Sequence, residues 1–490
     1  MQNALCLRDT RSSLGGALTR FNRTLFTCLL FAAAAFAQTE NKLPSAAIPA
    51  DRMTQYSDQA VTWMRDYLRV NTSNPPGNEL AAAQFFKKIL DENGIENQLF
   101  EFTPGRANIW ARIKGDGTHR PLILLSHMDV VTSDPDKWKV NPFSAEIIDG
   151  AIYGRGAQDM KNEGLAQLVV IVMLKREAVK LDRDIILLAT SDEEVDGIGT
   201  DWMIANKRDM LENAEFLITE GGTNLMKEGH VESVGVDVAE KSPFWLKLTA
   251  HGVPGHASIP LADSAPNRLI RALFKVINYQ TELKVLPVVE EHFKALAPTQ
   301  KGDIAEKFRD IRMALKDKSF AARMSADTEY AYLLRNTISV TQLEASHQTN
   351  VIPTEATAHL DVRLLPGEDS HAFLEMMKRV VDDPKVTVEP ESSDFRKANA
   401  SDVHTSLFDI FREISASYFP DAPVVPTITS GYTENQRYRS IGISCYGFTP
   451  YAATKEESST EHGNNERVRV EEVRRAPKIL FDVVATLGSR

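Results

Sequence analysis

Three short apolar runs constrain this chain more than any other feature: PLILLS at 121–126, DIILLAT at 184–190 and AEFLIT at 214–219. Continuous apolar runs of this length suit strands buried on both faces. Between the first two lies DMKNEGLAQLVVIVMLKREA (159–178), which suits a helix. Strands separated by helices imply a mostly parallel sheet and hence an α/β protein. The first run leads into His127 and Asp129, the second into Glu193 and Glu194, the third into Glu220. Asp159 opens the helix between the first two. Open α/β sheets bind ligands outside the carboxyl ends of their strands. One histidine and several carboxylates therefore converge on one edge of the predicted sheet.

The pattern changes after residue 240. Segments 243–252, 265–280, 335–345, 355–365, 371–381 and 385–390 read β-α-β-β-α-β, the order of a small two-layer α+β domain. A charged, helical segment at 283–333 interrupts that order. Helical and strand runs then resume to the C-terminus. The expected division is a large α/β domain at 51–240 and 393–490, with the smaller domain inserted at 241–392.

The N-terminus is a separate matter. Arg8, Arg11, Arg20 and Arg23 precede the apolar run LFTCLLFAAAAFA at 25–37. That run is too short to span a bilayer comfortably. It ends in the small-x-small triplet Ala35-Phe36-Ala37. Residues 1–37 therefore read as a secretory signal peptide cut before Gln38, with an uncleaved membrane anchor as the competing reading. The expectation is an exported protein, periplasmic or extracellular, with no stable membrane span after cleavage. That leader carries four Arg and one Asp, so the net charge of −11 becomes −14 without it. An acidic chain with no basic run is a poor nucleic-acid binder. Cys6 and Cys28 lie in the leader, which leaves Cys445 and no internal disulfide.

The stretch SDEEVDG at 191–197 crowds Asp192, Glu193, Glu194 and Asp196 together. Like charges this close need water or a cation. A solvated turn is the ordinary explanation of such a cluster, and Asp159 taken alone could be a helix cap. Their joint placement after successive buried strands favours a cation. A second imidazole is available in STEHGNNERV, where His462 sits in a loop-like stretch.

SHMDVV, YGRGAQDMK, TSDEEVDG, ITEGG, GVPGHASIP, NVIP and EHGNNERV occur in the order found in a family of dinuclear zinc hydrolases. That family contains glutamate carboxypeptidase, acetylornithine deacetylase, succinyl-diaminopimelate desuccinylase, aminoacylase and carboxypeptidase S. The chain resembles it from about residue 60 to 480. The resemblance implies a mostly parallel-sheet zinc-peptidase catalytic domain with an inserted lid and dimerisation domain. It also implies two Zn2+ per chain, with Co2+ or Mn2+ as substitutes. His127, Asp159 and Glu220 would hold one metal; Asp159, Glu194 and His462 would hold the other, with Asp159 bridging. Imidazole and carboxylate ligands suit zinc, and a shared carboxylate keeps two metals about 3.5–4 Å apart.

The same resemblance assigns the remaining roles. Asp129 would fix the tautomer of His127 from behind. Glu193 would be the general base, moving a proton from a metal-bridging water to the leaving amine. His256 would reach a partner subunit's site and stabilise the oxyanion; local packing is its alternative. Asn350 and Arg363 would bind substrate. Arg363 would pair with a free carboxylate, unless it is merely solvated on its strand.

One stretch departs from the family. Its Gly-x-Thr-Asp-Ser-Arg-like segment near the substrate reads SGYTENQRYR here (430–439). Gly431 and Thr433 fit, while Glu434 replaces Asp and Gln436 stands where Arg is common. The insertion at 283–333 and the phrase RNTISVTQLEASHQTNVIP look most like the carboxypeptidase S and N-acyl-amino-acid hydrolase branch. The expected enzyme is an exported, homodimeric dinuclear zinc hydrolase. It would cleave a peptide or N-acyl amino acid that bears a free carboxylate. A dipeptidase or aminopeptidase, and an inactive binding protein on the same fold, are the alternatives.

Overall fold

The three apolar runs form the strands Leu122–His127, Ile185–Thr190 and Phe216–Thr219, and every residue in them is buried. The structure is a computed structural model that describes residues 43–211, 213–392 and 397–489, so the expected signal peptide lies outside the described residues. At the centre of a ten-stranded sheet, Ile185–Thr190, Leu122–His127, Phe216–Thr219 and Ser444–Gly447 run parallel in that spatial order. Their carboxyl ends therefore share one edge. Helix Lys161–Arg176 is buried from Lys161 to Leu174. It packs between the sheet and the helices Ala50–Leu68 and Val470–Leu487, so no face of it meets water.

The margins of the sheet mix antiparallel with parallel pairings. Arg106–Ile113 runs against both Ile185–Thr190 and Glu96–Thr103, and His230–Glu240 runs against Ser444–Gly447. The sheet is thus parallel at its core and mixed outside it. Cys445, on the Ser444–Gly447 strand, is buried. Among the described residues no helix is long and apolar enough to cross a membrane.

Residues 242–390 carry a second sheet. Its order is Ser242–Pro243, Glu355–Leu364, Leu246–His251, Val386–Pro390, with Thr337–Glu344 also paired to Glu355–Leu364. All these pairings are antiparallel. Along Glu355–Leu364 burial alternates strictly from Ala356 onward, the mark of a sheet with one dry face. Helices Ala265–Asn278 and Ser370–Val381 cover that face and complete a separate apolar cluster. This is the inserted α+β domain.

The charged segment forms five short helices, from Pro287–Leu296 to Thr328–Leu334. Their Phe293, Phe308, Phe320 and Leu333 make a further cluster. That cluster also takes in Ala239 and Ile428 from the large sheet and Leu365 at the end of an insert strand. Lys241 lies at the crossing from the large sheet to the insert and is fully buried. Its ammonium donates to the carbonyls of Arg335 (2.8 Å) and Tyr332 (3.2 Å) and to Thr337 Oγ1 (3.1 Å). Burial lowers its pKa to about 7.

Candidate active site

The carboxyl edge of the parallel strands gathers two groups of possible metal ligands: His127, Asp159 and Glu220, and Asp159, Glu194 and His462. Within each group the ligand atoms lie within 4.8 Å of one another. His127 ends its strand, and its Nε2 lies 3.0 Å from Asp159 Oδ1 and 3.4 Å from Glu220 Oε2. The other oxygen of Asp159, Oδ2, lies 2.8 Å from His462 Nε2. Glu194 Oε2 is 3.2 Å from the same imidazole nitrogen. One carboxylate thus faces both histidines, one oxygen to each.

The electrostatics of this cluster are those of a site built for cations. Burial opposes a charge on His127, but Glu220, Asp129 and Asp159 outweigh it and hold its pKa well above the ordinary value. Hydrogen bonds to Asp159 and Glu194 push His462 up to about 11. Burial raises Glu220 to about 8 and Glu193 well above the carboxylate range. The carboxylates crowd so closely that protons compensate them. Divalent ions take the place of such protons when they bind. Glu194 Oε1 is buried without a hydrogen-bond partner among the described residues, as a ligand atom awaiting a cation would be. The donor set is imidazole and carboxylate, so the residues fit a zinc-like ion.

The acidic turn divides its charges. Asp192 has φ of 73° and belongs to the scaffold. It accepts from Arg106 Nη2 (2.6 Å), Asn74 Nδ2 (2.9 Å) and the Ile198 amide (3.2 Å). Glu194 faces the metal cluster. Glu193 lines the adjoining cavity. Asp129 anchors the turn from below: its carboxylate accepts the amides of Glu193 and Glu194, both at 3.1 Å, and Asn74 Nδ2 at 2.9 Å. The nearer partner of His127 Nδ1 is the Asp129 backbone carbonyl, at 3.0 Å, against 3.6 Å for its carboxylate.

A cavity of about 620 Å³ opens on this cluster. Arg363 and Gly431 line it, with Pro243, Trp245, Val195 and Tyr432. Arg363 is paired with Asp361 through Nε (2.7 Å) and Nη2 (3.0 Å). His256 and Asn350 lie elsewhere. They adjoin one another where Gly255–His256 pairs with Val351–Ile352, and neither lines the cavity. His256 Nδ1 lies 2.7 Å from Ser258 Oγ.

The sequence profile of peptidase family M20/M25/M40 matches residues 123–486. The chain belongs to that family. Among its relatives, mouse N-fatty-acyl-amino acid synthase/hydrolase PM20D1 is 28% identical over 88% of this chain and 89% of its own length. Probable carboxypeptidase S-like 2 of Dictyostelium discoideum is 27% identical over 75% of this chain and 72% of its own. The fold of an M20 family metallo-carboxypeptidase from Sulfolobus solfataricus superposes with a TM-score of 0.66 at 20% identity, covering 88% of this chain and 99% of that one. The chain is accordingly an M20 hydrolase that acts on amide bonds.

Sequence reasoning did not assign several residues that hold the M20 site together. Glu466 lies in EHGNNERV and Arg155 in YGRGAQDMK, yet their bonds run mostly to backbone groups that no spacing reveals. Glu434 is buried below the cavity, where it accepts from Thr190 Oγ1 (2.9 Å) and from Thr200 Oγ1. The carboxylate of Glu434 thus ties Thr190 to Thr200 beneath the acidic turn. Gln436 is also buried, donating to the Lys397 carbonyl at 3.0 Å.

Proposed function

We propose that this M20 hydrolase binds two zinc ions and releases an amino acid from an N-acyl amino acid or peptide that ends in a free carboxylate. The observation that carries this reading is the pair of ligand groups sharing Asp159, with Arg363 on the wall of the adjoining cavity. His127, Asp159 and Glu220 hold one ion; Asp159, Glu194 and His462 hold the other. Such ions, when bound, acidify a water and polarise the substrate carbonyl. Glu193 takes the proton of the attacking water and gives it to the leaving nitrogen. Arg363, already fixed by Asp361, offers its guanidinium to the substrate carboxylate. Val195 and Trp245, about half exposed on the cavity wall, give an apolar acyl group or side chain a surface to cover.

A dipeptidase reading is favoured by a different observation. Glu163, Asp237 and Glu461 add further carboxylates to the cavity wall, and these suit a free α-amine. Metal content and hydrolysis measured on one preparation separate the two. The panel holds N-acyl amino acids of short and long acyl chain, their C-terminal amides, and free dipeptides. About two zinc per chain with cleavage abolished by amidation supports the first reading; preference for dipeptides supports the second.

The proposal extends to location and assembly. Residues 1–37 support export to a periplasmic or extracellular space, which N-terminal sequencing of the secreted protein tests. The outer face of Ala265–Asn278 supports a homodimer: Ile270, Phe274 and Ile277, one helical stripe, are each about two-thirds exposed. A second copy packed there would cover that stripe, and His256 would then serve the partner's site.

A further inference from the structure

Arg155 and Glu466 form a buried ion pair, Nη1 to Oε2 2.6 Å, between residues 311 positions apart. Their side chains are 3% and 0% exposed. A buried ion pair is a poor device for stability alone, because desolvation offsets most of its attraction. What distinguishes this pair is where its other bonds go. Glu466 Oε1 accepts the amides of Gln158 (2.7 Å) and Asp159 (3.2 Å), and Oε2 accepts the amide of Gly156 (3.0 Å). Arg155 Nη2 donates to the carbonyls of Gly463 (2.8 Å) and His462 (3.4 Å). The ring of Trp138 lies 5.3 Å beneath the guanidinium.

The two residues thus grip the backbones of the two loops that present Asp159 and His462. The His462 loop needs such a grip. His462 has φ of 55° and Asn465 φ of 61°, a left-handed conformation disfavoured for residues with a side chain. The Asn465 side chain supplies a further tie, accepting the Lys139 amide at 2.7 Å. The local tie of this loop is the Gly463 amide donating to the Thr460 carbonyl at 2.9 Å, and the imidazole stands 2.8 Å from Asp159.

We propose that Arg155 and Glu466 are positioning residues that set the separation of the two ligand loops, each with its own share of the metal centre. This rests on the metal reading above. Arg155 secures the loop of His462, which belongs to one ligand group only. Glu466 secures the amide of Asp159, which belongs to both. The two residues therefore differ in what their loss does, although they are partners in one ion pair.

The test uses the full chain, with zinc alone as the probe, titrated against a chromophoric chelator. R155K keeps the charge opposite Glu466 but forfeits the fork that reaches both carbonyls. E466Q keeps the shape but replaces an acceptor oxygen with a donor. Removing such an outer support typically costs about 10–100-fold in metal affinity. R155K should weaken one zinc by about that factor and leave the other within about twofold. E466Q should weaken both. The melting midpoint of the metal-free protein is recorded for each variant. Zinc binding unchanged in both variants overturns the proposal. So does loss of both zincs by R155K with a drop in metal-free melting equal to that of E466Q, which would mark the pair as purely structural. Wild-type chain that binds no zinc sinks the metal reading itself, and this inference with it.

Discussion

At the scale of single residues, neighbouring glutamates of one turn meet different partners. Glu194 meets His462, while Glu193 lines the cavity. Glu193→Gln is expected to lower kcat by about 10²–10⁴-fold with both metals retained. Glu194→Ala is expected to lose a metal as well, and metal analysis beside turnover distinguishes the two. The cluster of possible ligands was legible in the sequence because each member is a histidine or carboxylate at a strand end or loop. The supports were not. Arg106 and Asn74 reach Asp192 from other parts of the chain, and nothing in their local sequence points there. The Asp129 carboxylate does lie 3.6 Å from His127 Nδ1, but it also accepts the Glu193 and Glu194 amides and Asn74 Nδ2. That role depends on how a distant turn folds back, which residue type does not encode.

At the scale of elements, burial on both faces made the central strands recognisable, and the same property hid their direction. An apolar run looks alike whichever way its neighbour runs, so the antiparallel pairings at the margins are not legible in the sequence. The β-α-β-β-α-β order of the insert was legible because its strands alternate dry and wet faces. The helices of 283–333 were recognised as helical, but their further core was not, since it depends on contacts with Ala239, Ile428 and Leu365. One of those helices carries a pH-sensitive group. His292, on Pro287–Leu296, is buried, and its Nδ1 lies 3.0 Å from the Pro426 carbonyl. Burial lowers its pKa to about 4. The unfolded chain takes up a proton near pH 6.5 that the folded chain refuses until about pH 4. Its stabilising share is therefore complete above pH 6.5 and is lost as the pH falls toward 4, a change of about 3 kcal/mol. His292→Gln retains a donor for Pro426 without that proton. Its melting midpoint should fall less than the wild type's between pH 7 and pH 4.5. Equal slopes would exclude His292 as the source.

At the scale of the whole molecule, the exposed stripe on Ala265–Asn278 belongs to the insert, whose Pro243, Trp245 and Arg363 also line the cavity. Phe274→Glu places a charge in the proposed dimer face, far in sequence from any ligand. Sedimentation should show it as a monomer where the wild type is a dimer, and activity should fall with it if His256 works across the interface. A monomeric wild type would remove both ideas together. The helices of 283–333 bear on a different question. They lean at once on the large sheet and on the insert, and Lys241 ties the strand between them to the end of the last helix. Swinging the insert away would pull Leu365 out of that cluster, an apolar side chain worth about 1.5–3 kcal/mol when buried. Small-angle scattering with and without a carboxylate-bearing inhibitor should accordingly give the same radius. Identical radii would mark these helices as a strut. A molecule stiffened by a strut does not wrap around its guest: it measures the guest against an opening already cut to size, and what fails to fit is turned away at the door.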